Sequence, residues 1–410
     1  MVQASSLKTP PQLTSLLSTR GKDLPAPRLG DPQKAANMIS FVFGYPDRES
    51  LPAMEVAEAT TRAMEKGGDW ALQYGKSTGA PVLIDFLVEK LKRDQGIDIP
   101  PENVLITSGG SQAVQLVIDL LVDPGDTVIV EAPTWMGFLY ALHNVKANAI
   151  GVPVEVDGMD LDALEQALKK LRDEGKTAKF IYVISNFQNP SGVTTSLEKR
   201  KRLVELAQEY GTLILEDDAY YDLRYSGERI PPIYTLDDSG STMYLGTFSK
   251  IMGAGMRLGW LIAAPEIITK LSVLKTDGAS SVFGSYVAAE WAPEYLYDHI
   301  ERLKTIYQRR RDILIAALEK HMPEGTTWTV PDGGFFVWAT LPEGIDTTQM
   351  LPMARERGVE YLPGATCFPD NRGRNQIRFS YSFVPDDKIE EGIRILSEIV
   401  EGELKETSSS

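Results

Sequence analysis

Between residues 100 and 265 short apolar, β-branched runs alternate with segments whose apolar positions recur every three or four residues. The runs are "NVLIT", "TVIV", "FIYVIS", "TLILE", "MYLGT" and "LGWLIAA"; among them lie "SQAVQLVIDLL", "LDALEQALKKLRDEG" and "KRKRLVELAQEY". Runs that are apolar at nearly every position suit strands covered on both faces, and strands alternating with helices build a mostly parallel sheet between two helical layers. A three-layer α/β unit is therefore the predicted core of the fold. One helix carries its own punctuation: Thr195 and Glu198 form a capping box, and Gly211 ends the last turn. In sheets of this kind ligands collect beyond the carboxyl ends of the strands, which says where to look for chemistry.

The pattern changes near residue 285. Long charged helical stretches come first, then the strands "GGFFVWATL" and "QIRFSYSF", then a final helix, which together predict a smaller α+β domain. Pro10, Pro11, Pro25, Pro27 and Pro32 keep the first forty-odd residues from forming one long helix. The expected division is an N-terminal arm with part of the small domain at 1–48, a large domain at 49–295, a small domain at 296–403 and a tail at 404–410.

Composition narrows the partners. The net charge of −15 over 410 residues repels phosphate backbones and anionic lipid, so neither nucleic acid nor a membrane is expected. Cys367 is the single cysteine, which excludes an internal disulfide and suits a reducing compartment. The opening "MVQASSLKTPPQL" lacks the layout of a secretory signal, and a cytoplasmic location is expected. His143, His299 and His321 lie in no motif, so neither a Ser–His hydrolase nor a histidine metal site is predicted.

Polar groups then fall at successive strand ends. After "NVLIT" comes Ser108-Gly109-Gly110-Ser111 and a helix; this is either an ordinary glycine turn or an anion site made of backbone amides. After "FIYVIS" comes "NFQNPSG" with Asn189, a pattern equally suited to a simple Asn-Pro turn. After "TLIL" come Glu216, Asp217, Asp218, Ala219 and Tyr220, acids that must find either water or a partner. After "MYLGT" comes Lys250, within "GTFSKIMGAGMRLGW", where small residues surround one amine and Arg257 follows. Lysine is a nucleophile only where its surroundings favour the neutral amine or capture it as a Schiff base. A phosphate, a protonated ring nitrogen and a carbonyl are the ligand groups that these positions would answer, and pyridoxal phosphate carries all three.

The stretches "ALQYGKSTG", "ITSGGSQA", "NFQNPSG", "EDDAYYDL", "GTFSKIMGAGMRLGW", "PDGGFFVWATLP" and "NQIRFSYSF" resemble the fold-type I pyridoxal-phosphate aminotransferases of class I/II. Within that group they are most similar to the branch of 2-aminoadipate, kynurenine and multi-substrate aminotransferases. The resemblance runs from about residue 40 to 400 with the motifs in the family's order. It implies pyridoxal 5'-phosphate as cofactor and a ping-pong transfer of the amino group of an L-amino acid to a 2-oxo acid, 2-oxoglutarate being the expected acceptor.

The resemblance also implies roles. Lys250 would form the Schiff base and then carry the proton between Cα and the cofactor, Asp217 would hold the pyridine nitrogen protonated, and Asn189 and Tyr220 would bond the phenolic oxygen. Gly109, Gly110, Ser111, Thr247, Ser249 and Arg257 would bind the phosphate, Trp135 would stack on the ring, and Tyr74 would reach the phosphate of a neighbouring subunit in a homodimer. Arg378 would clamp the substrate carboxylate, with Gly44 and Asn189 beside it. Trp135 stands where tyrosine is usual in this branch, Gly110 where serine is common, Ala219 where proline is common, and "NPSG" where "NPTG" is common. Arg20 and Arg28 are candidates to meet an acidic substrate side chain. Other reactions on the same cofactor (lyase, decarboxylase or cyclase) share the lysine and the acid. The same fold also serves as the effector domain of transcription regulators, although here only a proline-rich arm precedes the match and the charge opposes DNA.

Overall fold

The apolar runs become the strands of one eight-stranded sheet in the computed structural model, which describes residues 12–24 and 38–409. In chain order these strands are β1 (Val104–Thr107), β2 (Thr127–Ala132), β3 (Asn148–Glu155), β4 (Gly158–Met159), β5 (Phe180–Ile184), β6 (Leu213–Asp217), β7 (Thr242–Thr247) and β8 (Gly259–Ile262). Their spatial order is β1-β8-β7-β6-β5-β2-β3-β4. The neighbours β7-β6-β5-β2-β3 run parallel, whereas β8 is antiparallel to both β1 and β7. Alternate residues feed opposite layers: Val128 and Val130 join one core cluster with Leu215 and Leu245, while Ile129 joins another with Ile181, Val183 and Ile214. Each such buried aliphatic side chain contributes roughly 1.5–3 kcal/mol relative to exposure, and the two-sided burial explains why the runs carry almost no polar residues. The fold class expected from the sequence is therefore the one observed.

The predicted helix before Gly211 spans Leu197–Tyr210, and Gly211 takes the left-handed conformation that ends it, at φ 65°. Its N-cap corrects the expectation by one residue. Ser196 Oγ accepts from the Lys199 N–H, while Thr195 is engaged elsewhere: its N–H reaches the Ser185 carbonyl, and its own carbonyl accepts from Arg200 Nε.

The second unit is a four-stranded antiparallel sheet of β9 (Thr327–Trp328), β10 (Phe336–Thr340), β11 (Leu362–Pro363) and β12 (Gln376–Ser380), in the order β9-β10-β12-β11. The 40-residue helix Val282–His321 joins it to the first unit, and the division expected between 295 and 296 falls inside this helix. Residues 38–45 return to the small sheet: Ile39–Ser40 pairs with Val359–Glu360, and Ser380 and Ser382 hydroxyls hold the carbonyls of Phe43 and Tyr45. The final helix Asp386–Ser409 runs on through most of the stretch expected as a tail. Among the described residues no helix is long and apolar enough to cross a membrane.

Candidate active site

Register brings the strand-end groups together. Thr107, Gly259 and Thr247 stand side by side where β1, β8 and β7 pair, so the turn at 108–111, the loop at 248–250 and Arg257 share one edge. Ile184 pairs with Asp217, and Asp217 with Leu245, which sets the acid two residues short of Thr247 on the adjoining strand. From the small sheet, Arg378 of β12 faces the same space, and Asn189 reaches across to it. These groups line one cavity of about 570 Å³.

Gly109 opens the helix Gly110–Leu121 at φ 76°, and no side chain caps that helix. A Cβ on Gly109 would lie 2.9 Å from the Arg257 guanidinium, which donates to the Ser108 carbonyl at 2.8 Å. The left-handed φ is what calls for glycine there, and a side chain would in addition push the Arg257 guanidinium aside. Free first-turn amides, a guanidinium and the Ser111, Thr247 and Ser249 hydroxyls form an anion cradle at this edge of the cavity. Thr247 Oγ1 accepts from the Ser249 N–H at 3.0 Å, which fixes the loop on which Lys250 stands.

Lys250 Nζ donates to the Gly44 carbonyl at 3.0 Å and lies 5.7 Å from the ring centres of Tyr220 and Phe335. Burial pushes its amine down to about 8; Asp217 opposes the shift, and Arg378 and Arg257 add to it. Asp217 is pushed up to about 6 by burial, against a phenol donor from Tyr182 at 2.7 Å and the Ala219 N–H at 3.2 Å. Burial also raises the Tyr220 phenol, with Arg378 opposing it.

Arg378 is buried. Its Nη1 donates to Asn189 Oδ1 at 3.0 Å and its Nη2 to the Val42 carbonyl, its guanidinium lies 4.4 Å from the Phe336 ring centre, and its Nε has no partner. An unsatisfied buried guanidinium N–H is costly, and an anionic ligand would answer it.

The structure gathers Gly44, Gly110, Ser111, Trp135, Asn189, Asp217, Tyr220, Thr247, Ser249, Lys250, Arg257 and Arg378 around the cavity. Gly109 lies behind Arg257 rather than on the wall. Tyr74 is 85% exposed and does not line the cavity. Arg20 is exposed on the short helix Thr19–Lys22 and also does not line it, and Arg28 is outside the described residues. Trp135 fits because residue 137 is glycine: a Cβ there would come within 2.4 Å of the indole.

Sequence reasoning missed Tyr182, Glu131 and Gln188. Glu131 accepts from the Ile184 N–H and from Gln188 Nε2, and burial pushes it up to about 8. Gln188 also donates to the Pro133 carbonyl and accepts from the Ser191 N–H, tying the turn that carries Asn189 to the one that carries Trp135. For Tyr182 and Glu131 the available signal was a lone polar group in or at the end of an apolar run; Gln188 lies inside the Asn-Pro turn motif itself. No group of acidic, histidine or cysteine side chains among the described residues could hold a metal ion.

The donor set fits a phosphorylated pyridine aldehyde: an anion cradle at one edge, an acid on the wall for a ring nitrogen, an amine for a carbonyl, and a guanidinium for a carboxylate. Comparison with known proteins agrees. The aminotransferase class I and II family matches residues 38–396. An aromatic-amino-acid aminotransferase from Thermococcus litoralis is 41% identical over 375 residues, 91% of this chain and 90% of that protein. The kynurenine aminotransferase of Pyrococcus horikoshii, solved with PMP and KYN, superposes with a TM-score of 0.90 at 38% identity, covering 96% of this chain and 99% of that one. An α-aminoadipate aminotransferase from Thermus thermophilus, complexed with N-(5'-phosphopyridoxyl)-L-leucine, gives a TM-score of 0.84 at 34% identity, over 91% of this chain and 95% of that one. With the family matched over nearly its whole length and the fold type I architecture in place, the chain belongs to the class I and II aminotransferases and is a transaminase.

Proposed function

We propose that the cavity takes pyridoxal 5'-phosphate and that the enzyme moves the amino group of an L-amino acid to a 2-oxo acid in two half-reactions. The observation that carries this reading is the meeting of Lys250, Asp217 and Arg378 in one cavity beside an uncapped helix N-terminus. When bound, the cofactor supplies an aldehyde that takes over the amino group and a ring that accepts the electron pair left at Cα.

The chain's own residues do the rest. Gly110 and Ser111 amides, the hydroxyls of Ser111, Thr247 and Ser249, and Arg257 bind the phosphate. Asp217 holds a proton on the ring nitrogen, Asn189 and Tyr220 bind the phenolic oxygen, and Trp135 covers the ring. Arg378 binds the substrate carboxylate, which orients Cα toward Lys250. Lys250, whose amine burial pushes down to about 8, removes the Cα proton and returns it on the other side of the transfer.

Val42, Phe43, Tyr45, Met136, Tyr140 and Phe336 make the remaining wall largely aromatic and apolar. Donors with aromatic or long apolar side chains suit it, in keeping with the relative that is named for aromatic amino acids. The acceptor to test first is 2-oxoglutarate. A homodimer with shared sites, Tyr74 reaching the partner's phosphate site, belongs to the same proposal.

The test is to load the protein with pyridoxal phosphate, reduce with borohydride, digest and map the labelled peptide. The label is expected on Lys250; a label on another nitrogen, or none, overturns the reading.

A further inference from the structure

Asp217 closes β6 in the interior, where a carboxylate does not keep its charge without help. The titratable and charged groups that act on it come from four directions: Lys250 from the loop after β7, Glu216 and Tyr220 from its own strand and turn, Glu131 from β2, and Tyr182 from β5. Glu216 opposes a further negative charge, Glu131 is itself pushed up to about 8 by burial and by Asp217, and Lys250 is the one cation among them. Local hydrogen bonds must supply the balance.

There are two. The Ala219 N–H reaches Oδ1 at 3.2 Å, at the long end of a useful bond, and the Tyr182 hydroxyl reaches Oδ2 at 2.7 Å. Tyr182 stands opposite Leu215 in the β5–β6 pairing, which makes Asp217 its diagonal neighbour on the same face, within reach of a long aromatic side chain. The phenol has no freedom to turn away: Tyr182 is fully buried, and its ring stacks on Phe138 at 3.7 Å with planes 6° apart. Burial and Asp217 itself push the phenol well up, so Tyr182 keeps its proton and donates.

We propose that Tyr182 is a positioning residue for amino transfer: its phenol, locked on Phe138, donates to Asp217 Oδ2 and holds that carboxylate ionised and fixed in orientation at the cavity wall. The proposal rests on the reading of the site given above. Only an ionised Asp217 can hold a proton on a ring nitrogen, so Tyr182 sets the lowest pH at which the site works.

The test is Tyr182→Phe, which keeps the ring on Phe138 and removes the donor. In the wild-type holoenzyme the acid limb of kcat/KM and the pH dependence of pyridoxal phosphate affinity are measured first; failure to bind or to transaminate at that stage sinks the functional reading. In Y182F the acid limb moves to higher pH by about one unit, the order expected for one charge-assisted hydrogen bond. Cofactor affinity falls several-fold near pH 6 and recovers toward pH 8. An unchanged limb, or an equal loss at every pH as packing damage would give, overturns the proposal. Should Y182F not fold, fluorotyrosine placed at position 182 keeps the shape and strengthens the donor; the limb must then move to lower pH, and no movement refutes the role.

Discussion

An ammonium withdrawn from water needs an anion nearby to persist, and for Lys250 that anion is Asp217. The sign follows directly. Asp217 opposes the fall of the Lys250 amine to about 8, so removing its charge lets the amine fall further. Asp217→Asn is therefore expected to make Lys250 a stronger nucleophile at neutral pH and, under the proposed function, to impair turnover at the same time, because the ring nitrogen would lose its proton holder. In cofactor-free protein, the pH midpoint for arylation of Lys250, read by peptide mapping, is expected near 8 in the parent and lower by about one unit in D217N. Turnover falls by a hundredfold or more, the order of a lost proton-transfer contribution. A midpoint that stays or rises shows that the two groups are not coupled. Lys250, Asp217 and Asn189 were legible in the sequence because each follows an apolar run at a strand end, whereas Arg378, in the middle of β12, was singled out only through the family resemblance. Tyr182 and Glu131 were not: each sits in an apolar run that reads as sheet filling, and its partner is fixed only when the register of a neighbouring strand is known.

Among the elements, β8 decides whether the anion cradle proposed for the phosphate can form. Gly259 lies between Thr107 and Thr247, and a Cβ there would come within 2.8 Å of the Gly109 carbonyl carbon and 2.9 Å of the Gly110 nitrogen. These are backbone atoms and cannot rotate aside. Gly259→Ala is expected to push the glycine turn off the strand, at about 1–3 kcal/mol of stability as in other overpacked sites, and to weaken pyridoxal phosphate binding more than it lowers the melting temperature would suggest. Parental affinity together with a parental melting curve would show that the close approach is not needed. The alternation of runs disclosed the sheet and its helices, because burial on two faces leaves a clear compositional trace. It did not disclose that β8 is antiparallel. The short, helix-poor link from Thr247 to Gly259 was the usable sign, since a parallel neighbour would require a longer crossover. The cap at Ser196 was misread for a similar reason: Thr195 and Ser196 have the same chemistry, and only the contacts of Thr195 with Ser185 and Arg200 separate them.

At the scale of the whole molecule the question is what covers the end of the helix Ala53–Ala71. Trp70, Leu72 and Tyr74 are 65%, 75% and 85% exposed, and the Tyr74 ring lies against Gly278, in the connection that leads from the glycine-cradle side of the large sheet into the long helix. Large exposed apolar side chains concentrated in one stretch mark an association surface, and a second copy with twofold symmetry is the simplest occupant. No local pattern distinguishes a tryptophan that meets a partner from one that meets the core, so a homodimer is expected from the sequence only through the family resemblance. If each site borrows Tyr74 from its partner, two inactive variants must complement each other. Lys250→Ala and Tyr74→Ala, each impaired alone, are mixed, dissociated and reassociated. Every hybrid dimer then carries both defects in one site and neither in the other. Random pairing makes half the dimers hybrid, so about a quarter of wild-type activity should return. A chain whose sites are self-contained would recover nothing beyond the sum of its parts, and a monomer in sedimentation would remove the surface from consideration altogether.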